Sequence, residues 1–229
     1  MKVAELWRYP VKSMAGESLA EAELGEYGIP GDRIFQVRRA DGQIVDARAH
    51  PKLLGLRPVI GVDGQLLVNG GKWDSPEVAR QVEEAAAAGR GARLVRNEGP
   101  ERFDVLPLLI ATDGAIAAFV HDGRRLRPNI IIGGVNGLAE REWEGRALRI
   151  GKTIIGIHSL RGRCVMTTYD PDTQHQDLAV LRQIVRQFDG RLALNCWVIR
   201  GGTIRVADSV EITDLNGAAP LASMLGRYA

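Results

Sequence analysis

Short apolar runs broken by turn chemistry dominate the first third of the chain, at 3–9, 19–24, 34–39, 43–47, 56–62 and 65–68. Runs of this length, rich in β-branched residues and bounded by Gly, Pro and Asp, predict strands. Asp41-Gly42 and Asp63-Gly64 predict tight hairpins, because glycine accepts the positive φ that such turns demand. Gly28-Ile29-Pro30-Gly31-Asp32 is a further break. This density of strands predicts a barrel-like unit. A loop at 69–73 leads to Ser75-Pro76, an N-cap followed by a first-turn proline, and hence to a helix reaching about Ala88 and stopped at Gly89. A strand at 93–96 precedes the break at Gly99-Pro100.

Beyond that break the pattern again favours strands, at 106–111, 130–132, 147–150, 153–160, 165–168, 192–199 and 203–206, with one more expected within 208–212. Thr112 or Asp113 caps a short helix toward Val120. Leu178, Leu181, Ile184, Val185 and Phe188 recur at helical spacing, so 177–187 is a helix with one buried face, ended by Gly190. The expected class is therefore mostly β with peripheral helices (α+β). Because 229 residues lie near the limit of one core, one domain or two small packed ones both fit, and the break at Gly99-Pro100 is the preferred border, giving two barrel-like subdomains, 1–99 and 100–229, packed together.

Composition narrows the function classes. Hydrophobic residues make up 45% and charged residues 25%, the balance of an ordinary globular protein. The net charge is +2, and 30 Lys and Arg are interleaved with 28 Asp and Glu, which disfavours nonspecific nucleic-acid binding. No apolar run approaches the roughly 18 residues of a membrane span, and the N-terminus carries no apolar leader, so a cytoplasmic protein is expected. The two cysteines, Cys164 and Cys196, show no CxxC or Cys/His spacing, which argues against structural zinc and protein-held iron–sulfur clusters. His50, His121, His158 and His175 form no metal-binding spacing either. The glycines at 133–137 do not fit GxGxxG. Gly145 with Gly151-Lys152-Thr153 is one residue too long for a phosphate-binding loop and reads as a hairpin turn.

Cys164 is the sharpest chemical candidate. Arg161 and Arg163 lie within three positions of it, favouring a thiolate, and a soft thiolate suits redox-active metals. Packing as a small hydrophobe is the competing reading. Cys196, inside an apolar strand, reads as core. Arg127-Pro128-Asn129 stands just before a strand, where a guanidinium fork and a carboxamide match phosphate oxygens and heterocyclic amides; a solvated turn is the alternative. Lys12-Ser13 offers an ammonium and a hydroxyl from a turn. Arg33 and Arg48 are anion binders or ion-pair partners of Asp32 and Asp46.

Several motifs in order, Leu6-Trp7-Arg8-Tyr9-Pro10-Val11-Lys12-Ser13, Gly31-Asp32-Arg33-Ile34-Phe35, Ala47-Arg48 with Pro51, Leu126-Arg127-Pro128-Asn129-Ile130, and Arg163-Cys164-Val165-Met166-Thr167-Thr168 with Asp170-Pro171-Asp172-Thr173, resemble proteins with a MOSC N-terminal β-barrel domain followed by a MOSC (molybdenum cofactor sulfurase C-terminal) domain. The resemblance covers roughly residues 1 to 213 and is nearest to the amidoxime-reducing branch. It implies a molybdenum cofactor (Mo-molybdopterin) held between two subdomains, with Cys164 as metal ligand and catalytic centre. Lys12, Ser13, Arg33, Arg127 and Asn129 would hold the pterin and its phosphate, and Gly162 and Arg163 would flank the thiolate.

What the resemblance implies in turn is a reductase of N-hydroxylated compounds. The chain ends without a cysteine cluster, so electrons are expected from a separate protein, a ferredoxin, a flavodoxin or a cytochrome b5-like donor with its reductase. One departure stands out: Val105-Leu106-Pro107 replaces hydroxyl residues that the family often carries, so a cofactor contact there must use backbone groups. Two other functions stay open. One is a carrier that passes on cofactor, or sulfur as a persulfide on Cys164, without turnover. The other is a binding module that has lost its cofactor.

Overall fold

The computed structural model describes residues 1–87 and 91–226, so the helix stop expected at Gly89 lies outside the described residues. The first stretch contains β1 (Lys2–Arg8), β2 (Glu17–Leu19), β3 (Glu21–Leu24), β4 (Phe35–Arg38), β5 (Ile44–Val45), β6 (Pro58–Ile60), β7 (Leu66–Val68), β8 (Gly71–Lys72), α1 (Pro76–Ala86) and β9 (Arg93–Arg96). The second contains β10 (Leu108–Thr112), α2 (Asp113–Phe119), β11 (Ile130–Gly133), β12 (Arg146–Ile150), β13 (Thr153–Gly162), α3 (Leu178–Phe188), β14 (Arg191–Arg200), β15 (Gly202–Arg205) and β16 (Glu211–Asp214). The protein is mostly β with peripheral helices, as its hydrophobic pattern predicts.

Eight strands form one sheet in the order β16-β12-β13-β14-β10-β11-β1-β2. A β3-β15 ribbon and two three-stranded sheets, β5-β4-β9 and β6-β7-β8, complete the described strands, and none of these sheets closes into a barrel. Both Asp-Gly hairpins form, joining β4 to β5 and β6 to β7. α1 starts where Ser75 Oγ accepts from Val78 N at 3.3 Å, and α2 starts where Thr112 Oγ1 accepts from Ala115 N at 3.0 Å. Each cap satisfies a backbone donor that the first helical turn leaves free.

Apolar side chains gather in two principal cores. The larger joins Leu6, Ile130, Ile132, Ile155, Leu194 and their neighbours across the big sheet. The smaller joins Phe35, Val37, Leu53, Val68, Val78 and Val82 beneath α1. Sequence places the Gly99 border between β9, the last strand of the smaller core, and β10. In space β1 and β2 belong to the big sheet, with Leu6 opposite Ile130.

One expected strand is corrected. Residues Val165–Thr168 form a 3₁₀ turn, with Cys164 as its N-cap, instead of a strand. Thr167 N and Oγ1 both bond the Cys164 carbonyl, at 3.1 and 2.8 Å, and Thr168 Oγ1 bonds Val165 O at 2.6 Å. Threonine hydroxyls that reach back three residues stabilise a turn at the expense of a ladder. Cys164 therefore follows the end of β13 instead of starting a strand.

Glu140 is fully buried, with Oε2 on Thr112 Oγ1 at 3.2 Å and Oε1 without a partner. Burial raises its pKa above the usual carboxylate value. Its contribution to stability is therefore fully present below the unfolded pKa of about 4.3 and is lost as pH rises through the folded value. Glu140→Gln is expected to match wild type in thermal melting at pH 4 and to exceed it at pH 8. Parallel melting curves across that range would contradict the assignment.

Candidate functional site

Four backbone irregularities point side chains into one cleft. β1 runs into the turn at Lys12-Ser13, and the break after Ile29 ends at Arg33. A 3₁₀ turn, Gly123–Leu126, is capped by Arg127. The fourth lies in the long β13–β14 pair, where Leu160 opposes Leu194 and Gly162 opposes Arg191, so β14 carries one extra residue. Ala193, at φ 68, lies in that bulge. Bulges re-aim a strand end, and here the redirected end delivers Gly162, Arg163 and Cys164.

The resulting cleft encloses about 800 Å³ counted out to its mouth, and all eight sequence candidates line it: Lys12, Ser13, Arg33, Arg127, Asn129, Gly162, Arg163 and Cys164. Cys164 is exposed, and the space over Gly162 is open, with nothing within 4 Å of where a Cβ would stand. Ser13, Arg33 and Arg127 hold left-handed backbone, at φ 72, 55 and 56. Such conformations cost on the order of 1 kcal/mol each for non-glycine residues and are kept where surroundings enforce them.

Charge is the dominant property of this cleft. Seven cationic side chains line it (Lys12, Arg33, Arg48, Arg102, Arg127, Arg161 and Arg163) against two carboxylates, Asp46 and Asp104. Asp104 binds Lys12 at 2.9 Å and Arg161 at 2.8 Å and lies 3.7 Å from Arg48. Burial alone would raise its pKa, but Lys12, then Arg161 and Arg48, hold it well below the usual carboxylate range. Arg127 and Arg163 are less well compensated. Arg127 Nη2 and Arg163 Nε are shielded from water without a hydrogen-bond partner. Burial, with Arg161 adding repulsion at Arg163, lowers both pKa values to about 10. Shielded cationic donors of this kind are costly unless an anion meets them.

Asn129 lies in the cleft wall, yet its carboxamide is engaged within the protein. Oδ1 accepts from Leu109 N at 3.1 Å and Arg33 Nη1 at 3.3 Å; Nδ2 donates to Asp32 Oδ1 at 3.1 Å and Trp7 O at 3.3 Å. Those four bonds exhaust an amide's capacity. Asp32, only 1% exposed, also accepts from Tyr9 N at 2.7 Å and pairs with Arg33. Tyr9 then carries both arginines, with Arg127 Cζ 4.3 Å and Arg33 Cζ 5.0 Å from its ring centroid. Each such contact is worth about 1 kcal/mol when partly desolvated.

Sequence reasoning missed Asp104 and Tyr9 as members of the site and saw Asp32 only as a pairing partner of Arg33. Nothing in the local pattern around Asp104 signals its role, because its partners come from 12, 48 and 161. Arg48 does pair with Asp46, at 3.4 Å, as the alternative reading held. Val105 and Leu106 line the cleft, although Val105 O already accepts from Gly226 N at 2.8 Å. Cys196 is buried between Leu108 and Ile157, and burial raises its thiol pKa, which makes it a packing residue.

The arrangement suits a polyanionic group that carries a metal. Cys164 supplies a sulfur donor at the cleft mouth, while no three His, Cys, Asp or Glu side chains converge among the described residues. A metal bound here would take its other ligands from its own organic partner. The partnerless Arg127 and Arg163 nitrogens belong to residues that line the same cleft as Cys164. The glycine loop at 133–137 offers no rival site: Gly134 N and Val135 N bond the Asp113 carboxylate at 2.7 and 3.0 Å.

Comparison with known proteins adds independent findings. Residues 1–107 match the MOSC N-terminal β-barrel domain and residues 115–211 match the MOSC domain. The chain is 29% identical to mitochondrial amidoxime reducing component 2 of Homo sapiens and 26% identical to component 1, covering 75% of this chain and 67% of each relative. Its fold is similar to that of the YUAD protein of Bacillus subtilis, with a TM-score of 0.51 at 14% identity, covering 93% of this chain and 95% of that one. No helix among the described residues is long and apolar enough to cross a membrane.

Two substitutions test the electrostatic account. Asp104→Asn is expected to cost on the order of 2 kcal/mol at pH 7, because it leaves Lys12, Arg48 and Arg161 crowded. Added pyrophosphate is expected to restore much of the lost melting temperature, by binding the folded state. The deficit should shrink on acidification, since a depressed carboxylate pKa contributes stability above about pH 4 that is lost as pH falls. An Asp104→Asn protein that melts like wild type and ignores pyrophosphate would refute it. Asn129→Ala strips partners from Leu109 N, Trp7 O and Asp32, and is expected to lower stability by about 2 to 4 kcal/mol in chemical denaturation. A loss below about 0.5 kcal/mol would show that the carboxamide is not a structural tie.

Proposed function

This chain belongs to the MOSC family, and from that premise we propose that it is a molybdenum-cofactor-dependent oxidoreductase that reduces N-hydroxylated compounds. The observation that carries this reading is the meeting of an exposed cysteine with partnerless buried arginine nitrogens in one cleft. A bound molybdenum pterin would supply the two-electron chemistry that converts N–OH, with two protons and two electrons, into N–H and water.

The chain's own residues do the rest. Cys164 Sγ serves as the metal's protein ligand, and the bulge in β14 fixes where that sulfur stands. Arg127 and Arg163 neutralise the anionic pterin and its phosphate, with Lys12, Ser13 and Arg33 lining the same cleft. Asn129 and Asp32 hold Arg33 and thereby preset the wall. Preset charge of this kind needs no reorganisation when charge shifts during turnover. Open space over Gly162 gives a small substrate access beside Cys164. The electrons come from a separate donor, a ferredoxin, a flavodoxin or a cytochrome b5-like protein with its reductase.

Purification from a cofactor-competent host, with molybdenum and pterin analysis and dye-coupled reduction of benzamidoxime, tests the reading. Wild type is expected to contain both and to turn over. Cys164→Ser is expected to lose at least a hundredfold in rate, because a hard alkoxide is a poor substitute for a soft thiolate. Metal with no turnover, or a persulfide on Cys164, would replace this reading with the carrier function. Absence of metal and pterin together would end the oxidoreductase reading.

A further inference from the structure

A second, open cavity of about 710 Å³ counted out to its mouth adjoins the first cleft, and Arg127 and Met166 line both. Its sides are apolar and flat: Trp7, Leu54, Met166, Tyr169 and Pro171. Its cations at the rim are already paired. Arg124 is bidentate to Asp172 at 3.0 and 2.6 Å, and Arg125 binds Asp170 at 3.1 Å. Its floor is not paired. Tyr9, only 2% exposed, lines the cavity, and its hydroxyl has no hydrogen-bond partner; neither has Arg127 Nη2.

A phenol O–H and a guanidinium N–H without partners, the guanidinium stacked with its Cζ 4.3 Å from that phenol's ring centroid, call for one acceptor of negative charge attached to an apolar body. Water would satisfy the donors but not the walls, and a phosphate polyanion would leave the walls unmatched. Met and aromatic walls close around planar ligands at little conformational cost. We propose that this cavity is a binding site for small aromatic carboxylates, the carboxylate accepting from Tyr9 Oη and Arg127 Nη2 and the ring lying among Trp7, Met166 and Tyr169. Burial pushes the Tyr9 pKa up to about 12, so the hydroxyl remains a donor at neutral pH. Arg127 Nη2 is also the nitrogen given to the cofactor in the first cleft, so the carboxylate and the cofactor compete for it. Because Arg127 is common to both cavities, occupancy of one alters the charge balance of the other.

Titration calorimetry of the full chain with benzoate is the direct test, with benzamide as the uncharged control. The site predicts saturable one-to-one binding of benzoate and at least tenfold weaker binding of benzamide. Tyr9→Phe keeps the ring that supports Arg33 and Arg127 but removes the donor, so benzoate affinity should fall roughly tenfold, the worth of one hydrogen bond to a charged group. Ala15→Phe, which fills the cavity from its side, should abolish binding, and carries the test if the tyrosine variant does not fold. Arg161→Gln, which lines only the first cleft, should leave benzoate binding within twofold. Benzoate binding that survives Ala15→Phe, or that is lost in Arg161→Gln, would move the anion to the first cleft and overturn the proposal. Equal affinity for benzamide, or no saturable heat, would do so too.

Discussion

The hydrogen bond between Asn129 Nδ2 and Asp32 Oδ1 is the junction on which the rest of the site depends. It ties the turn that ends at Arg33 to the start of β11, and the same two side chains reach Trp7, Tyr9 and Leu109 in β1, its exit and β10. The Asn129–Asp32 and Tyr9–Asp32 bonds are buried, so either one left unmade would cost a full desolvation penalty, and those to Trp7 O and Leu109 N are part-buried. A node with this many obligatory partners permits little variation in where the neighbouring arginines stand. Arg33 is fixed by it directly, and Tyr9, held by Asp32, becomes the shelf for Arg127.

Upon this frame the protein gathers more positive charge than it neutralises. Asp104 and Asp46 compensate Lys12, Arg48 and Arg161, whereas Arg127 and Arg163 retain shielded nitrogens without partners. Left-handed backbone at Ser13, Arg33 and Arg127 adds strain in the same place. Such costs accumulate where a ligand returns them, and the sum here describes a site preorganised for an anion. The cysteine arrives by a separate device, a one-residue bulge that turns the end of β13 toward the cleft. The same strand end carries Arg161 and Arg163, so the sulfur shares its element with part of the charge, while Lys12, Arg33 and Arg127 stand on other turns.

Much of this was legible along the chain. Hairpins at Asp41-Gly42 and Asp63-Gly64, the caps at Ser75 and Thr112, and the existence of α3 follow from local stereochemistry, but the face α3 buries is Val180, Ile184 and Phe188, with Leu178 and Val185 left exposed. Site candidates were legible for another reason, since reactive residue types stood at element boundaries. Their roles were less so. Asn129 looked like a ligand contact because a carboxamide before a strand suits that task, while its four bonds show a structural tie. Residues 165–168 read as a strand from β-propensity, yet threonine hydroxyls bonding backward made a turn.

What the sequence by itself determined is most of the local elements, the standing of Cys164 as the cysteine flanked by arginines while Cys196 sits in an apolar run, and the lack of a Cys/His metal-ligand spacing. Tertiary structure alone decided which cations meet. Lys12, Arg48 and Arg161 converge on Asp104, and Arg33 and Arg127 share one face-bound tyrosine, across separations of up to about 150 residues that no periodicity encodes. The physical reason is that strand and turn preferences act through backbone torsions, whereas the site's electrostatics arise from desolvation and Coulomb terms that exist only after distant segments pack together.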